Sequence, residues 1–181
     1  MEPRIKALEK PPGLWATLIY GILRKQYGKV LMPAKVIYSR YPKIAFLVKK
    51  IYSTERSFKH TSEEQRSDIQ KLVASLNGCA FCQDLIAKNE KNKINRTQAS
   101  NKEYSFGDTT SLSFDKERAI YQYVTEMTQH ITVSDKTYTT LKTHCSDEEI
   151  IEITFTASSE NFLNRLIKPL NIGSDQLCSL P

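Results

Sequence analysis

Residues 72–90 read LVASLNGCAFCQDLIAKNE, and the punctuation of this stretch decides the fold. Just before and within it, Ile69, Leu72, Val73 and Leu76 recur at helical spacing and make one apolar stripe. Thr61 with Glu64, and Ser62 with Gln65, both fit the pattern in which a hydroxyl and a side-chain carbonyl satisfy the orphan amides of a first turn. A helix therefore starts at Thr61 or Ser62. It ends at Asn77-Gly78, because glycine takes the left-handed closing conformation cheaply. The chain restarts at once, placing Cys79 at a new helix N-terminus and Cys82 one turn further on.

Helical periodicity extends outward in both directions. Gly13 to Tyr27 reads as a first helix closed near Gly28, Ala34 to Ser39 as a short helical turn after Pro33, and Pro42 to about Tyr52 as another helix. In the last of these, Ile44, Leu47, Val48 and Ile51 share a face. Residues 89–114 are rich in Asn, Ser and Thr and read as a long loop. Asp115 caps a helix to about Gln129, Ser134-Asp135 starts a short one to Thr143, and Ser146 with Glu149 opens a long one stopped by Pro169. The tail after Asn171 reads as loosely held. No segment alternates as a strand does, so the fold class is all-α. The chain, 1–181, is read as a single domain with a helical N-terminal extension over about 1–32.

Composition narrows the function. Six Gly and seven Pro in 181 residues are few turn formers for a β-sandwich or barrel, and four Cys are too few for a disulfide framework. Net charge is +6, but residues 1–60 carry 13 Lys/Arg against 3 Asp/Glu and the remainder 13 against 17. The basic third lacks a dense basic run interleaved with aromatics, so nucleic acid is not expected as a partner. It is expected instead to meet the acidic remainder of a sister subunit. The apolar run Gly13 to Leu23 is too short to span a bilayer and no small-residue cleavage site follows it, so no membrane association and a cytoplasmic location are expected. Trp15, Phe46 and the tyrosines at 20, 27, 38, 41 and 52 suit a core or a subunit contact, and Asn164-Arg165 suits hydrogen bonds across an interface.

The chemistry lies in Cys79 and Cys82. Two thiols three apart at a helix start are close enough to form a disulfide, and the helix terminus stabilises the thiolate that acts as nucleophile. A thiolate attacking a peroxide becomes a sulfenic acid, which a neighbouring cysteine converts to a disulfide. The same pair can exchange disulfides with a partner. Three alternatives stand beside a redox dithiol. A thioredoxin fold needs a strand before the pair, a zinc site needs His144-Cys145 as further ligands, and two buried cysteines can be inert. Cys145 and Cys178 stand alone.

LVASLNGCAFCQDLIAKNE resembles the core of the carboxymuconolactone decarboxylase family, in its alkylhydroperoxidase D-like (AhpD-like) branch. SDEEIIEITFTASSENFLNRL, residues 146–166, looks like that family's closing helix, and PAKVIYSRYPKI, residues 33–44, is similar to the segment leading into the motif. The resemblance covers about residues 33–170. It implies an AhpD-like helical bundle assembled as a trimer or hexamer. It also implies a thiol peroxidase or disulfide reductase that needs no haem, flavin or metal. The substrate would be a hydroperoxide and the reductant a thiol protein or small dithiol. By the same resemblance Cys82 is the peroxidatic thiol and Cys79 the resolving one. The family's peroxidases carry a Glu twelve residues before the first Cys and a His four after the second; here those positions are Ser67 and Ile86.

With that proton relay lost, replacements are sought among the remaining acids and bases. Glu64 lies one turn before Ser67 on roughly the same face, and His130 ends a helix expected to pack near the motif. Asp84 reads as a solvated first-turn carboxylate, while His60 and His144 default to the surface. The alternative function is a disulfide redox or interaction protein of the same fold without peroxidase activity. Lactone decarboxylation is the third reading, disfavoured because the decarboxylase branch generally lacks the paired cysteines.

Overall fold

The computed structural model describes residues 2–99 and 111–179, with side chains at 2–92 and 114–178. Among these residues there are helices and turns and no strand. In chain order the α-helices are α1 (Leu14–Tyr27), α2 (Pro42–Glu55), α3 (Glu63–Leu76), α4 (Ala80–Ala99), α5 (Ser111–His130), α6 (Asp135–Lys142) and α7 (Asp147–Ile167). A π-helical turn, Ala34–Tyr38, separates α1 from α2.

Local signals set most of these boundaries. Ser62, Ser134 and Ser146 each accept a backbone N–H of the first turn they precede, the contribution expected of an N-cap hydroxyl. Gly28 closes α1 with φ at 76°. Pro42 opens α2 at the position where its missing N–H costs nothing.

Helix α3 is the central element, packed against α4, α5 and α7. Its adjacent residues Val73 and Ala74, both fully buried, belong to two separate apolar clusters. Val73 joins Ile69, Val124, Leu141 and Ile153 between α3, α5, α6 and α7. Ala74 joins Cys79, Cys82, Phe81, Ile86, Val36 and Leu177. The dithiol motif thus sits in the second of two cores that share one helix.

Three sequence expectations are corrected. Residues 89–99 and 111–114 are helical rather than loop, extending α4 and α5; residues 100–110 of that stretch lie outside the described residues. The stretch at 89–99 has no Gly or Pro, so a helix anchored at its first turns continues through it even without an apolar stripe. The tail is also tied down at Asp175 and Leu177; residues 180–181 lie outside the described residues. The Asp175 carboxylate accepts the Met32 N–H at 2.7 Å and meets Lys29 Nζ at 3.3 Å, and Leu177 is fully buried. Asp84 is likewise not a solvated carboxylate, because it accepts the Leu177 N–H at 2.9 Å and the Ser174 hydroxyl at 2.8 Å. No helix among the described residues is long and apolar enough to cross a membrane.

Candidate dithiol site

The turn between α3 and α4 is built by backbone hydrogen bonds. Gly78, at φ 60°, donates its N–H to Ser75 O at 2.9 Å, and Cys79 donates its own to Ala74 O at 2.8 Å. These two bonds form a Schellman closure, which needs the left-handed residue that glycine supplies. Lys168 Nζ donates to Asn77 O at 2.7 Å and pins the same turn from beyond α7. Cys79 O then accepts the Gln83 N–H at 3.0 Å, so Cys79 ends one helix motif and begins the next. Cys79 directly precedes α4 and Cys82 lies in its first turn, at the helix end whose dipole favours a thiolate.

Cys79 and Cys82 form a disulfide with their Cα atoms 5.3 Å apart. Both are buried, at 2% and 4% exposure, among Phe81, Ile86, Val36 and Ile167. Cys145 is buried in the other core, where burial pushes its thiol up to about 11. Cys178 is exposed, with its N–H directed at Asp84. Among the described residues no group of three or more His, Cys, Asp or Glu is placed to hold a metal ion.

The positions of the absent relay are occupied in other ways. Ser67 is buried and donates its hydroxyl to Glu90 Oε1 at 2.8 Å, while Glu90 pairs with Lys71 at 2.6 Å. Ile86 adds apolar surface to the cysteine core. Glu64 is exposed in the first turn of α3, roughly 18 Å along the axis from Leu76 at about 1.5 Å per residue. His130 is exposed at the end of α5, in a surface hollow with Tyr121, Gln122, Glu126 and Lys136 that contains no cysteine. The structure brings neither Glu64 nor His130 to the disulfide.

Other titratable groups are buried elsewhere in the interior. Glu55 at the end of α2 and Glu160 in α7 are buried, at 4% and 3% exposure. Burial pushes both carboxyls up to about 7, and the charge of Glu55 adds to the effect on Glu160. Gln70 of α3 donates to Glu55 Oε2 at 2.9 Å, but Glu55 Oε1 is buried without a hydrogen-bond partner. Asn164 donates to Glu160 and accepts from Asn77, two residues before Cys79, at 3.1 Å. Asn164 therefore bonds within the chain rather than across an interface. Burial raises the Tyr52 phenol well above its usual range, with Glu160, Glu55, Tyr38 and Tyr27 acting in the same direction. Tyr27 and Tyr38 in turn pack against the cysteine core.

The sequence held a signal for these acids that hydropathy alone passes over. Glu160 falls on the buried stripe Ile153, Ala157, Asn164, Ile167, and Glu55 continues the stripe Ile44, Val48, Ile51. A carboxylate on a buried stripe is the informative exception.

No protein-family model matches the chain. It is 27% identical over 162 residues to the uncharacterized protein YnjA of Escherichia coli strain K12, covering 87% of each. The debrominase Bmp8, solved in complex with 2,3,4-tribromopyrrole, superposes with a TM-score of 0.70 at 18% identity, covering 98% of this chain and 94% of that one. An uncharacterized peroxidase-related protein of Ralstonia eutropha JMP134, described as an alkylhydroperoxidase AhpD core, superposes at 0.65 with 15% identity, covering 95% of both chains. The fold is the AhpD-like all-α fold.

Proposed function

We propose that the chain is a dithiol–disulfide oxidoreductase that reduces hydroperoxides. The observation that carries this reading is the Cys79–Cys82 disulfide at the α3–α4 turn of an AhpD-like fold. Cys82, in the first turn of α4, is the attacking thiolate. It takes the terminal oxygen of the hydroperoxide, the O–O bond breaks, and the alkoxide leaves as alcohol once protonated. The Cys79 thiol then attacks the Cys82 sulfenic acid, forming the disulfide and releasing water. An external dithiol, small or carried by a protein, returns both sulfurs to thiols and becomes a disulfide itself. The cycle calls for no haem, flavin or metal.

A second reading follows from Ser67 and Ile86. Without the glutamate and histidine of the peroxidase relay, the pair can serve as a disulfide reductase or switch with little peroxide turnover. General acid–base help is worth roughly 10²–10⁴-fold, so its loss would be visible in the rate. The debrominase among the similar structures shows that this fold also carries reactions other than peroxide reduction. Dithiothreitol-driven turnover separates the two readings. Sustained hydroperoxide consumption supports the peroxidase, whereas rapid disulfide exchange with negligible peroxide consumption supports the second reading.

A further inference from the structure

Three helices of this chain begin under a serine whose hydroxyl accepts the backbone N–H three residues on. Ser62 accepts from Gln65 at 3.0 Å, Ser134 from Thr137 at 3.3 Å and Ser146 from Glu149 at 3.2 Å. Cys79 holds the same place before α4. It directly precedes the helix, and its carbonyl accepts the Gln83 N–H that opens the helical ladder, at 3.0 Å. The residue three on is Cys82. The Cys79 sulfur is therefore the counterpart of those three hydroxyl oxygens, and the amide it would meet belongs to the other cysteine. Gln83 fixes Cys79 at both of its backbone poles. Its own N–H donates to Cys79 O, and its side-chain Nε2 donates to Ala74 O at 3.1 Å, the carbonyl that also takes the Cys79 N–H at 2.8 Å. Lys168 Nζ holds the same turn through Asn77 O at 2.7 Å. The last turn of α3, residues 73–76, carries no titratable side chain, and Glu160 of α7 is separated from the turn by the Asn164 amide. Tyr27 of α1 and Tyr38 of the π-helical turn border the cysteine core, but burial raises both phenols, Tyr38 to about 12, so they carry no charge near neutral pH. Asp84 of α4 is spent on the Leu177 N–H and the Ser174 hydroxyl.

Resting on the dithiol reading above, we propose that Gln83 is a positioning residue of the couple. It holds Cys79 as the cap of α4, so that reduction expels Cys79 as the thiolate and leaves the reductant joined to Cys82. One thiolate of an external dithiol attacks Cys82 Sγ, the Cys79–Cys82 bond breaks, and its electron pair stays on Cys79 Sγ. That thiolate takes the Cys82 N–H in the manner of the three serines. The better-stabilised thiolate leaves faster in such an exchange, and this decides which sulfur is attacked. The second thiolate of the reductant then attacks the reductant sulfur of the mixed disulfide. Cys82 leaves as thiolate and takes a proton from solvent, while the reductant departs as a disulfide. In the oxidative half of the cycle the Cys79 thiolate closes on the Cys82 sulfenic acid and releases hydroxide, which a proton from solvent converts to water.

The test makes two measurements on the full chain, in the wild type and in Q83M, which keeps the length of the side chain and removes its donor. In the first, the oxidised protein is treated with excess 2-mercaptoethanol and quenched early in acid, and fragment-ion mass spectrometry locates the mixed disulfide. It is expected on Cys82. In the second, the pre-reduced protein is alkylated with iodoacetamide across pH and each cysteine is read separately. Cys79 is expected to inflect well below the value of about 8.5 of an ordinary thiol, and below Cys82. Q83M is expected to move the Cys79 inflection up toward that value and to slow Cys79 alkylation at pH 7 by roughly tenfold. Should Q83M fail to fold, the wild-type adduct and the order of the two wild-type inflections decide. A mixed disulfide on Cys79, or a Cys79 inflection that Q83M leaves in place while only stability falls, would overturn the proposal and leave the dithiol reading intact. If dithiothreitol opens the disulfide in neither protein and peroxide never re-forms it, the dithiol reading itself fails and the positioning role with it.

Discussion

At the scale of single residues, the buried acids make the sharpest statement about stability. Both Glu55 and Glu160 are raised from 4.5 to about 7 by burial. Below about pH 4.5 the folded and unfolded chains are alike protonated at these sites. Between there and about 7 the unfolded chain ionises while the folded one holds its protons, so the folded state binds more protons and stability falls as pH rises. Above about 7 the loss is complete. Glutamine at Glu160 keeps an oxygen for Asn164 and removes the ionisation, so E160Q should lose less stability over this window and exceed the wild type at pH 8. Urea midpoints measured from pH 4 to pH 8 check this; parallel curves for the two proteins would refute it. The position of both acids on apolar stripes was visible in the sequence, but their burial was not. Glu55, at the end of α2, reads as solvated until Gln70 of the next helix is known to meet it, and Glu160 reads as solvated until the packing around α7 is known to bury it.

At the scale of elements, the turn that presents the cysteines depends on a left-handed residue. A Cβ on Gly78 would also stand 3.1 Å from Lys168 Nζ, the group that pins Asn77 O. Gly78→Ala should therefore cost about 1–2 kcal/mol in unfolding free energy and loosen the disulfide turn. Denaturant unfolding beside amide exchange at Cys79 measures both; wild-type values in each would contradict the assignment. This element was readable in advance, because capping hydroxyls, an apolar stripe and Asn-Gly are local signals. Helix α4 beyond Asn89 was not, since its polar run carries no periodicity and its helicity is inherited from the turns before it. The seating of Leu177 was equally hidden. It relies on Asp84, 93 residues away, and no local pattern encodes such a pairing.

For the whole molecule, the outer face of α1 is an apolar face left exposed among the described residues. Leu14, Leu18 and Ile22 follow one another at helical spacing with 83%, 50% and 53% exposure, and Trp15 stacks edge-on with exposed Phe46 of α2 at 5.7 Å. A contiguous apolar face on a basic N-terminal third suits association with the acidic remainder of another copy. Sedimentation should give a trimer or hexamer for the wild type and smaller species for Leu18→Glu, a substitution that burdens no core. A wild-type monomer at both low and high salt would refute the assembly. The redox assignment of the whole fold is tested most directly by stopped-flow consumption of a hydroperoxide by the pre-reduced protein beside Cys82→Ser and Cys79→Ser. A burst stoichiometric with protein is expected in the wild type, loss of that burst in Cys82→Ser, and a single turnover arrested at the sulfenic acid in Cys79→Ser. Undiminished consumption in both variants would contradict it.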